Sequence, residues 1–237
     1  MSQQLVILNP GHHLPKDPGA TGNGIKEADI TVKICNLIKE KSQLYGFDVV
    51  IVHEHKLSEI CKIANQYKNA FLFLSIHINS ATNPTATGFE SFVFPGSAKS
   101  DKLRNTIHAK LGSFMNHHGF VDRGKKSANF YVLRNTVMPA ILTENLFVSN
   151  PRDAEILKDA KFLSDLADIY CQGIAEALGI LLNKESDNME KVTIVINDKK
   201  IEGYLIGDKA YAPVRILINS LNKTVTWEEN KKTVIIK

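Results

Sequence analysis

Hydrophobic residues follow two periods along the chain, and segments of one period alternate with segments of the other. Short apolar runs predict buried strands, and longer segments with apolar residues at helical spacing predict helices. The predicted strands before residue 181 cover 5–8, 48–53, 70–77, 88–94, 130–133 and 140–144. The predicted helices cover 25–45, 56–67, 101–118 and 162–178, and Asn150 and Pro151 mark one more helix start. Strands that alternate with helices predict an α/β fold, with a mostly parallel sheet flanked by helices.

Three segments of this region differ in character. Residues 70–77 are almost entirely apolar, as in a strand whose two faces are both covered. Residues 88–94 alternate instead, which predicts a strand at the edge of the sheet. Residues 122–129 are polar and basic.

The pattern changes after residue 181. Residues 182–190 are polar and aperiodic, which predicts a linker between a domain at 1–181 and a module at 191–237. The module is predicted to contain a hairpin with its turn at Asn197–Asp198, a short helix after residues 210–218, and a second hairpin across residues 228–232. Such a small β-rich (α+β) module buries little surface alone, so we expect it to dock on the main domain or on a second copy of itself.

The composition is that of an ordinary globular protein, with 43% hydrophobic and 23% charged residues. A formal charge of +4 is a mild basic bias that suits an acidic polymer as partner, and we expect no nucleic acid to bind. No apolar run approaches the roughly 18 residues of a membrane helix. The start, MSQQLVILNP, lacks the positive charge and long apolar segment of a secretory signal. We therefore expect a protein that is made in the cytoplasm and does not insert into membranes.

Four residues suggest a catalytic zinc site, which needs three protein ligands and a carboxylate to move protons. His12 follows the first predicted strand, Glu27 opens the next helix, His77 ends the apolar strand, and Glu144 ends the strand at 140–144. Ligands of a parallel sheet bind at the carboxyl ends of its strands, and three of the four residues are predicted to lie there. The arrangement therefore predicts a metal site built from distant parts of the chain.

Each residue also has a purely structural interpretation. His12 can cap a loop, and Glu27 can be an ordinary carboxylate at a helix start. His77 can be a buried, hydrogen-bonded histidine. Glu144 follows an apolar run, where an unpaired carboxylate is costly to bury, so it requires a partner or a function.

Several blocks of sequence resemble the type 3 N-acetylmuramoyl-L-alanine amidases, including phage endolysins. NPGHHLPKDPGATGNGIKE is similar to their zinc-binding opening, SIHINS to a central block, and LTENLFVSN to a closing block. Arg123-Gly124 and the run 130–134 are similar to a further block between them. The resemblance covers residues 5 to about 180, and all blocks stand in the order of the family.

The resemblance implies that His12, Glu27 and His77 hold one zinc ion and that Glu144 is the catalytic carboxylate. It implies a peptidoglycan hydrolase that cleaves the amide bond between N-acetylmuramic acid and L-alanine of the stem peptide.

 The family is that of the amidases, so the expected enzyme is a zinc-dependent N-acetylmuramoyl-L-alanine amidase and its expected substrate is bacterial peptidoglycan. Zinc would activate the attacking water, and Glu144 would act as the general base.

The chain departs from the family pattern at three positions. Asn9 replaces the usual Asp, and we expect this to alter a supporting hydrogen bond to His12 rather than to abolish metal binding. His13 and Leu14 replace two glycines, and His12 is preferred to His13 as the ligand because it directly follows Pro-Gly.

Three further residues are candidates for contacts with the substrate. Arg123 and Arg134 can bind carboxylates of the substrate in a bidentate manner, or they can simply be solvated. Asn79 can touch the substrate or hold the loop behind His77. The other histidines at 53, 55, 117 and 118 are interpreted as surface or helix-end residues.

The tail, residues 191–237, resembles the copper-amine-oxidase N-terminal-like module of bacterial surface proteins. The similarity lies in Ala212-Pro213-Val214-Arg215, Thr226-Trp227 and residues 231–236, and no His or Cys is present to bind copper. The resemblance implies binding to the cell envelope, and a homodimerisation or stabilising module is the alternative.

Two other functions compete with the amidase hypothesis. A different zinc hydrolase, such as a peptidase, can use the same residues, and a non-catalytic envelope-binding protein needs no zinc. Because no secretory signal is predicted, a lytic enzyme of the endolysin type would reach the wall through holes in the membrane or after lysis.

Overall fold

A computed structural model of the 237-residue chain describes residues 4–180, 190–196, 199–206, 209–211, 225–228 and 233–236. The chain divides into two compact units, Met1–Leu181 and Leu182–Lys237. Among the described residues, no helix combines the length and the apolar character that a membrane crossing requires.

The first unit is built on a six-stranded sheet and a short hairpin. Its strands are β1 (Gln4–Pro10), β2 (Thr21–Gly22), β3 (Ile25–Lys26), β4 (Phe47–Ile51), β5 (Ala70–Asn79), β6 (Phe89–Val93), β7 (Asp122–Ser127) and β8 (Ala140–Phe147). The order across the main sheet is β4-β1-β5-β8-β6-β7, and β2 pairs with β3. Strands β4, β1, β5 and β8 are parallel, whereas β6 runs antiparallel to β8. The predicted α/β class and mostly parallel sheet are confirmed.

Six α-helices in the described part of the first unit accompany this sheet. They are α1 (Glu27–Ser42), α2 (Leu57–Ala64), α3 (Ala98–His117), α4 (Tyr131–Asn135), α5 (Pro151–Ile156) and α6 (Ala160–Ala177). The predicted cap of α5 is confirmed, because the Asn150 side chain accepts from the N–H groups of Arg152 and Asp153. The helix predicted to end at residue 45 ends at Ser42, and residues 43–45 form a 3-10 turn. Leu44 in this turn is 84% exposed and does not belong to the buried face of α1.

The helices cover both faces of the sheet. Tyr170 of α6 bonds to Thr143 of β8 on one face. On the other face, Leu142 packs in a buried cluster with residues of α2 and α4, such as Ile60 and Leu133. Since side chains alternate along a strand, Glu144 lies on the same face as Leu142. The carboxyl ends of β1, β5 and β8 therefore present their side chains beside the α2–α4 layer.

Two predictions about local structure are wrong. Residues 130–133 were expected as a strand, but α4 begins at Tyr131, because one helical turn buries the neighbours Val132 and Leu133 together. Residues 88–94 were expected at the sheet edge, but β6 lies between β8 and β7. The edge strand β7 has no apolar residue, since it needs no buried face, and its polar sequence therefore gave no strand pattern.

The described residues of the second unit form two antiparallel sheets. One has the order β11-β10-β9, from β9 (Glu190–Ile196), β10 (Lys199–Ile206) and β11 (Lys209–Tyr211), and the other pairs β12 (Val225–Glu228) with β13 (Thr233–Ile236). Both predicted hairpins are confirmed. The predicted linker at 182–190 lies outside the described residues except for Glu190, which is the first residue of β9. The turn at Asn197–Asp198, the predicted short helix and most of the second turn also lie outside them.

Candidate metal centre

His12 lies directly after β1, where the chain leaves the sheet. Its backbone is left-handed, with a φ of 65°, which is uncommon for a residue with a side chain. The turn is fixed by two bonds: Gly11 N–H donates to the carbonyl of Ile76 over 2.8 Å, and His53 Nε2 donates to the carbonyl of His12 over 2.7 Å. The His12 ring stands edge-on to the ring of His77, with centroids 5.3 Å apart. The turn therefore brings the two predicted ligand rings together.

Glu27 is the first residue of α1 and is 4% exposed. Its carboxylate oxygens face both histidines, with His12 Nε2 at 3.2 Å from Oε2 and His77 Nδ1 at 2.9 Å from Oε1. The backbone N–H groups of Ala20 and Ile78 also donate to it, over 3.0 and 3.1 Å. One possible ligand atom from each of His12, Glu27 and His77 lies within 4.8 Å of the others. These three residues are called the ligand group below.

Two glycines make room for the ligand group. A Cβ atom at Gly11 would lie 2.5 Å from the ring of His77. A Cβ atom at Gly19, whose φ is 66°, would lie 2.6 Å from the His12 ring and 2.7 Å from Oε2 of Glu27. Both contacts are too short for any other residue, so the glycines of the opening loop allow three side chains to converge.

Asp17 orients the His12 ring. Its Oδ2 accepts from His12 Nδ1 over 2.9 Å, which leaves Nε2 facing Glu27. A carboxylate on the far nitrogen of a metal-binding histidine is a common supporting contact. Asp17 was not predicted from the sequence, although a carboxylate in the Asp-Pro-Gly turn just after His12 was an available signal.

The electrostatics of the ligand group are those of a tight ionic cluster. The hydrogen bond to Glu27, opposed by burial, raises the pKa of His12 to about 9. Burial alone would raise the pKa of Glu27, but hydrogen bonds from His12 and His77 outweigh it and lower this pKa to about 2. Without a metal ion the group therefore holds a proton on His12, and a divalent cation would have to displace that proton.

Glu144 lies in β8 and is paired with His77 of β5 in the sheet register. Its Oε2 atom is buried and has no hydrogen-bond partner among the described residues. Burial raises the pKa of Glu144 well above its usual value, and the negative charges of Glu27 and Glu90 raise it further. β8 continues to Phe147, so Glu144 lies before the end of the strand and not at its last residue.

A buried network on the opposite face fixes this part of β5 and β8. Tyr170 O–H donates to Asn145 Oδ1 over 2.7 Å, and the Tyr170 and Thr143 hydroxyls are 2.7 Å apart. Asn145 Nδ2 donates in turn to the carbonyl of His77 over 3.0 Å. The network therefore fixes the positions of His77 and Glu144 relative to each other.

The ligand group fits a divalent metal ion. Two imidazoles and one carboxylate form a donor set typical of catalytic zinc sites that keep one position for water. The buried, unpartnered Oε2 of Glu144 is the kind of atom that a bound water or ion would satisfy. The glycines that admit the three side chains support the same interpretation.

The effect of Asn9 on metal binding stays a prediction. Asn9 makes no hydrogen bond to His12 in the described residues; its Nδ2 donates to the carbonyl of Val52 over 3.0 Å, and its Oδ1 accepts from Ser75 Oγ over 2.8 Å. The side chain needs an amide donor at this place, because it faces a carbonyl. Asn9 therefore ties β1 to its neighbours, and Asp17 supports His12 instead.

His13 is not part of the ligand group. Its backbone exchanges two hydrogen bonds of 2.8 Å with Asp17, and its ring lies 4.5 Å from the ring of His53. The structure therefore brings His12 rather than His13 to Glu27. His53, interpreted from sequence as a surface residue, instead supports the turn at His12.

Two of the three predicted substrate-contact residues meet at Glu90, which was not predicted from the sequence. Asn79 Nδ2 donates to Glu90 Oε1 over 2.8 Å, and Arg123 Nε donates to Glu90 Oε2 over 3.1 Å. Arg134 is exposed and lies over the ring of Tyr131, 5.6 Å from its centroid. The structure therefore brings Asn79 and Arg123 together and leaves Arg134 in another contact.

A second His–carboxylate group lies between β6, α3 and β7. His108 is 5% exposed, its Nδ1 is 2.7 Å from Ser91 Oγ, and its Nε2 is 2.9 Å from Asp122 Oδ1. Burial lowers the pKa of His108, although Asp122 opposes this effect. Ser91 is 1% exposed, so its hydroxyl is closed to a substrate.

Comparison with known proteins gives one family. The family model described as "N-acetylmuramoyl-L-alanine amidase" matches residues 6–176. An endolysin of Bacillus phage SPP1 is 38% identical over 185 residues, which are 75% of this chain and 67% of that protein. A sporulation-specific N-acetylmuramoyl-L-alanine amidase of Bacillus subtilis is 36% identical over 196 residues, which are 80% of this chain and 73% of that protein.

Solved structures show the same similarity. The catalytic domain of CwlV, an N-acetylmuramoyl-L-alanine amidase from Bacillus (Paenibacillus) polymyxa var. colistinus, superimposes with a TM-score of 0.69 at 28% identity. The match covers 75% of this chain and 99% of the CwlV domain.

Proposed function

This chain belongs to the N-acetylmuramoyl-L-alanine amidase family, and from that premise we propose how its site cleaves peptidoglycan. The chain is a peptidoglycan hydrolase of the amidase type. We propose that His12, Glu27 and His77 hold one zinc ion and that Glu144 carries the protons of the reaction. The observation that supports this most is the convergence of three ligand atoms within 4.8 Å of one another.

The residues of the ligand group have separate tasks in this proposal. His12 and His77 supply imidazole nitrogens, and Glu27 supplies a negative charge that offsets part of the charge of the ion. Asp17 accepts from Nδ1 of His12 and so keeps the ring oriented with its Nε2 toward Glu27. Zinc bound there would lower the pKa of water and polarise the carbonyl of the scissile amide.

Glu144 is suited to accept and return a proton. Its pKa is raised by burial and by neighbouring carboxylates, so it binds a proton more readily than an exposed carboxylate does. It takes one proton from water as the new C–O bond forms at the lactyl carbonyl. It then gives that proton to the alanine nitrogen as the C–N bond breaks. The products are a lactyl carboxylate and a peptide with a new amino terminus.

Mass spectrometry of digested peptidoglycan tests the proposed bond. The proposal predicts stem peptides that begin with a free L-alanine amine and glycan strands that carry free lactyl carboxylates. Treatment with a chelator should abolish these products, and added zinc should restore them. New ends within the stem peptide would instead assign a peptidase.

The roles of the tail and of release are also proposals. We propose that residues 191–237 bind the cell envelope, with homodimerisation as the alternative, and that the enzyme acts on the wall as a lytic enzyme. The relative named endolysin supports the lytic role. Sedimentation with purified walls should be weaker for a chain ending at Gly179 than for the full chain. Equal sedimentation would refute envelope binding by the tail.

A further inference from the structure

Glu90 accepts hydrogen bonds from two basic side chains beside Glu144. It is 5% exposed and stands opposite Glu144 in the antiparallel pair of β6 and β8. Residues directly opposite in such a pair lie on the same face, with Cβ atoms about 5 Å apart. Glu90 Oε2 accepts from both Arg123 Nε and Lys126 Nζ, and Oε1 accepts from Asn79 Nδ2. Two cations thus share one carboxylate beside the catalytic residue.

A bulge in β7 is what allows both cations to reach Glu90. Between Phe89 and Ser91 the partner strand advances from Asp122 to Lys125, one residue more than β6 does. Gly124 lies in this bulge with a φ of 89°, a conformation that favours glycine. In a regular strand, residues 123 and 126 would point to opposite faces. The extra residue therefore turns Arg123 and Lys126 to the same face of the sheet.

The two cations are held but still accessible. Arg123 also donates from Nη1 to the carbonyl of Thr87 over 3.3 Å, and its guanidinium lies 4.9 Å from the centre of the Phe147 ring. The side chains of Arg123 and Lys126 remain 35% and 41% exposed. A guanidinium and an ammonium have more N–H donors than these bonds use. One negative charge facing two positive charges leaves a net positive surface.

We propose that Glu90 is a positioning residue that holds Arg123 and Lys126 to bind a free carboxylate on the peptide side of the scissile amide. This inference rests on the proposed function, because it needs the peptide to lie beside Glu144. A carboxylate bound there meets charge-assisted donors, whereas the corresponding carboxamide does not gain the ionic contribution. The site would therefore prefer stem peptides with free carboxyl groups to amidated ones.

The test compares two synthetic disaccharide–tripeptides whose peptide carboxyl groups are either all free or all amidated. For the wild-type enzyme we expect a kcat/KM about tenfold higher for the free form, mainly through KM. Arg123→Gln and Lys126→Gln should each reduce this preference to about threefold or less, with kcat little changed. Glu90→Gln should raise KM for the free form more than for the amidated form.

Lys125→Gln is the matched control, because Lys125 pairs with Ser91 and so points to the other face. It should keep the wild-type preference. Equal KM values of the wild type for both substrates, or an undiminished preference in Lys126→Gln, would overturn the inference and leave the amidase function intact. Failure to cleave either substrate would overturn the proposed function as well.

Discussion

Two groups of histidine and carboxylate side chains in the first unit use the same residue types in opposite ways. The ligand group joins His12 and His77 to Glu27 at the strand ends, and its histidines are partly exposed. The second group joins His108 to Ser91 and Asp122 inside the unit, where His108 is 5% exposed. His12 and His77 both contact the carboxylate of Glu27, whereas His108 contacts Ser91 through one ring nitrogen and Asp122 through the other.

The two groups differ in their pKa shifts and in whether a polar atom near them lacks a hydrogen-bond partner among the described residues. Both ring nitrogens of His108 have a hydrogen-bond partner, Ser91 in β6 and Asp122 in β7. Burial lowers the pKa of His108, which favours the neutral imidazole in this contact between α3, β6 and β7. In the ligand group the pKa of His12 is raised to about 9, and the nearby Glu144 has a buried oxygen with no hydrogen-bond partner in the described part of the chain. Hydrogen bonding alone therefore does not mark a functional site; strongly shifted pKa values in a cluster of possible ligand atoms do.

The largest expected effect separates the two groups by metal content. His77→Ala should remove a ligand and reduce both bound zinc and amidase activity by at least about 100-fold. Mass-spectrometric metal analysis of the purified protein measures the first, and release of alanine amines measures the second. His108→Ala should keep wild-type zinc per folded chain. Equal loss of zinc in His77→Ala and His108→Ala would contradict the assignment of zinc binding to the ligand group alone.

The next effect is the pH dependence of zinc binding. Because the pKa of His12 is raised to about 9 without metal, zinc has to displace a proton at lower pH. Apparent zinc affinity should therefore fall at least about tenfold per pH unit from pH 8 to pH 6. Competition with a chromophoric chelator measures this slope. A flat profile would show that His12 carries no proton in the metal-free protein.

A smaller effect is the stability that the His108 group contributes. His108→Ala leaves Asp122 and Ser91 without their partner and should lower the free energy of unfolding by about 2–4 kcal/mol. Urea denaturation followed by circular dichroism measures this loss. Because the group does not touch the proposed reaction, kcat of the folded variant should stay within about twofold of wild type. A hundredfold loss of kcat would place His108 in the reaction.

The smallest effect is the pH dependence of that stability. Since the pKa of His108 is lowered in the folded state from 6.5, the unfolded chain binds the proton more readily. Its contribution should be fully present above about pH 6.5 and be lost as the pH falls toward the lowered folded value. The difference in urea midpoint between wild type and His108→Gln, followed from pH 7 to pH 5, should shrink at the acidic end. A difference that grows at acidic pH would reverse the sign.

Much of the fold was predictable because apolar burial controls it. The buried strands around Leu74 and Ile141 and the helix that ends before Gly179 have clear periods, so they were found. β7 was missed because it has no buried apolar face. α4 was missed because it has only five residues, too few to show a helical period. Element boundaries depend on such contacts with the rest of the chain.

The site was predictable only in part for a similar reason. His12, Glu27, His77 and Glu144 each stand in a recognisable local motif. Asp17 and Glu90 act through partners that the sequence does not reveal. Glu90 was the harder of the two, because its role depends on a bulge in a neighbouring strand. Contacts created by irregular backbone are not encoded in a short motif.

The most direct test of the central claim is a measurement on Glu144→Gln of both zinc content and amide cleavage. The substitution keeps the shape of the side chain but removes its ability to carry a proton. The account predicts one zinc ion per chain, as in wild type, and a loss of alanine release by about 100- to 10,000-fold. Wild-type cleavage by a zinc-loaded Glu144→Gln protein would contradict it.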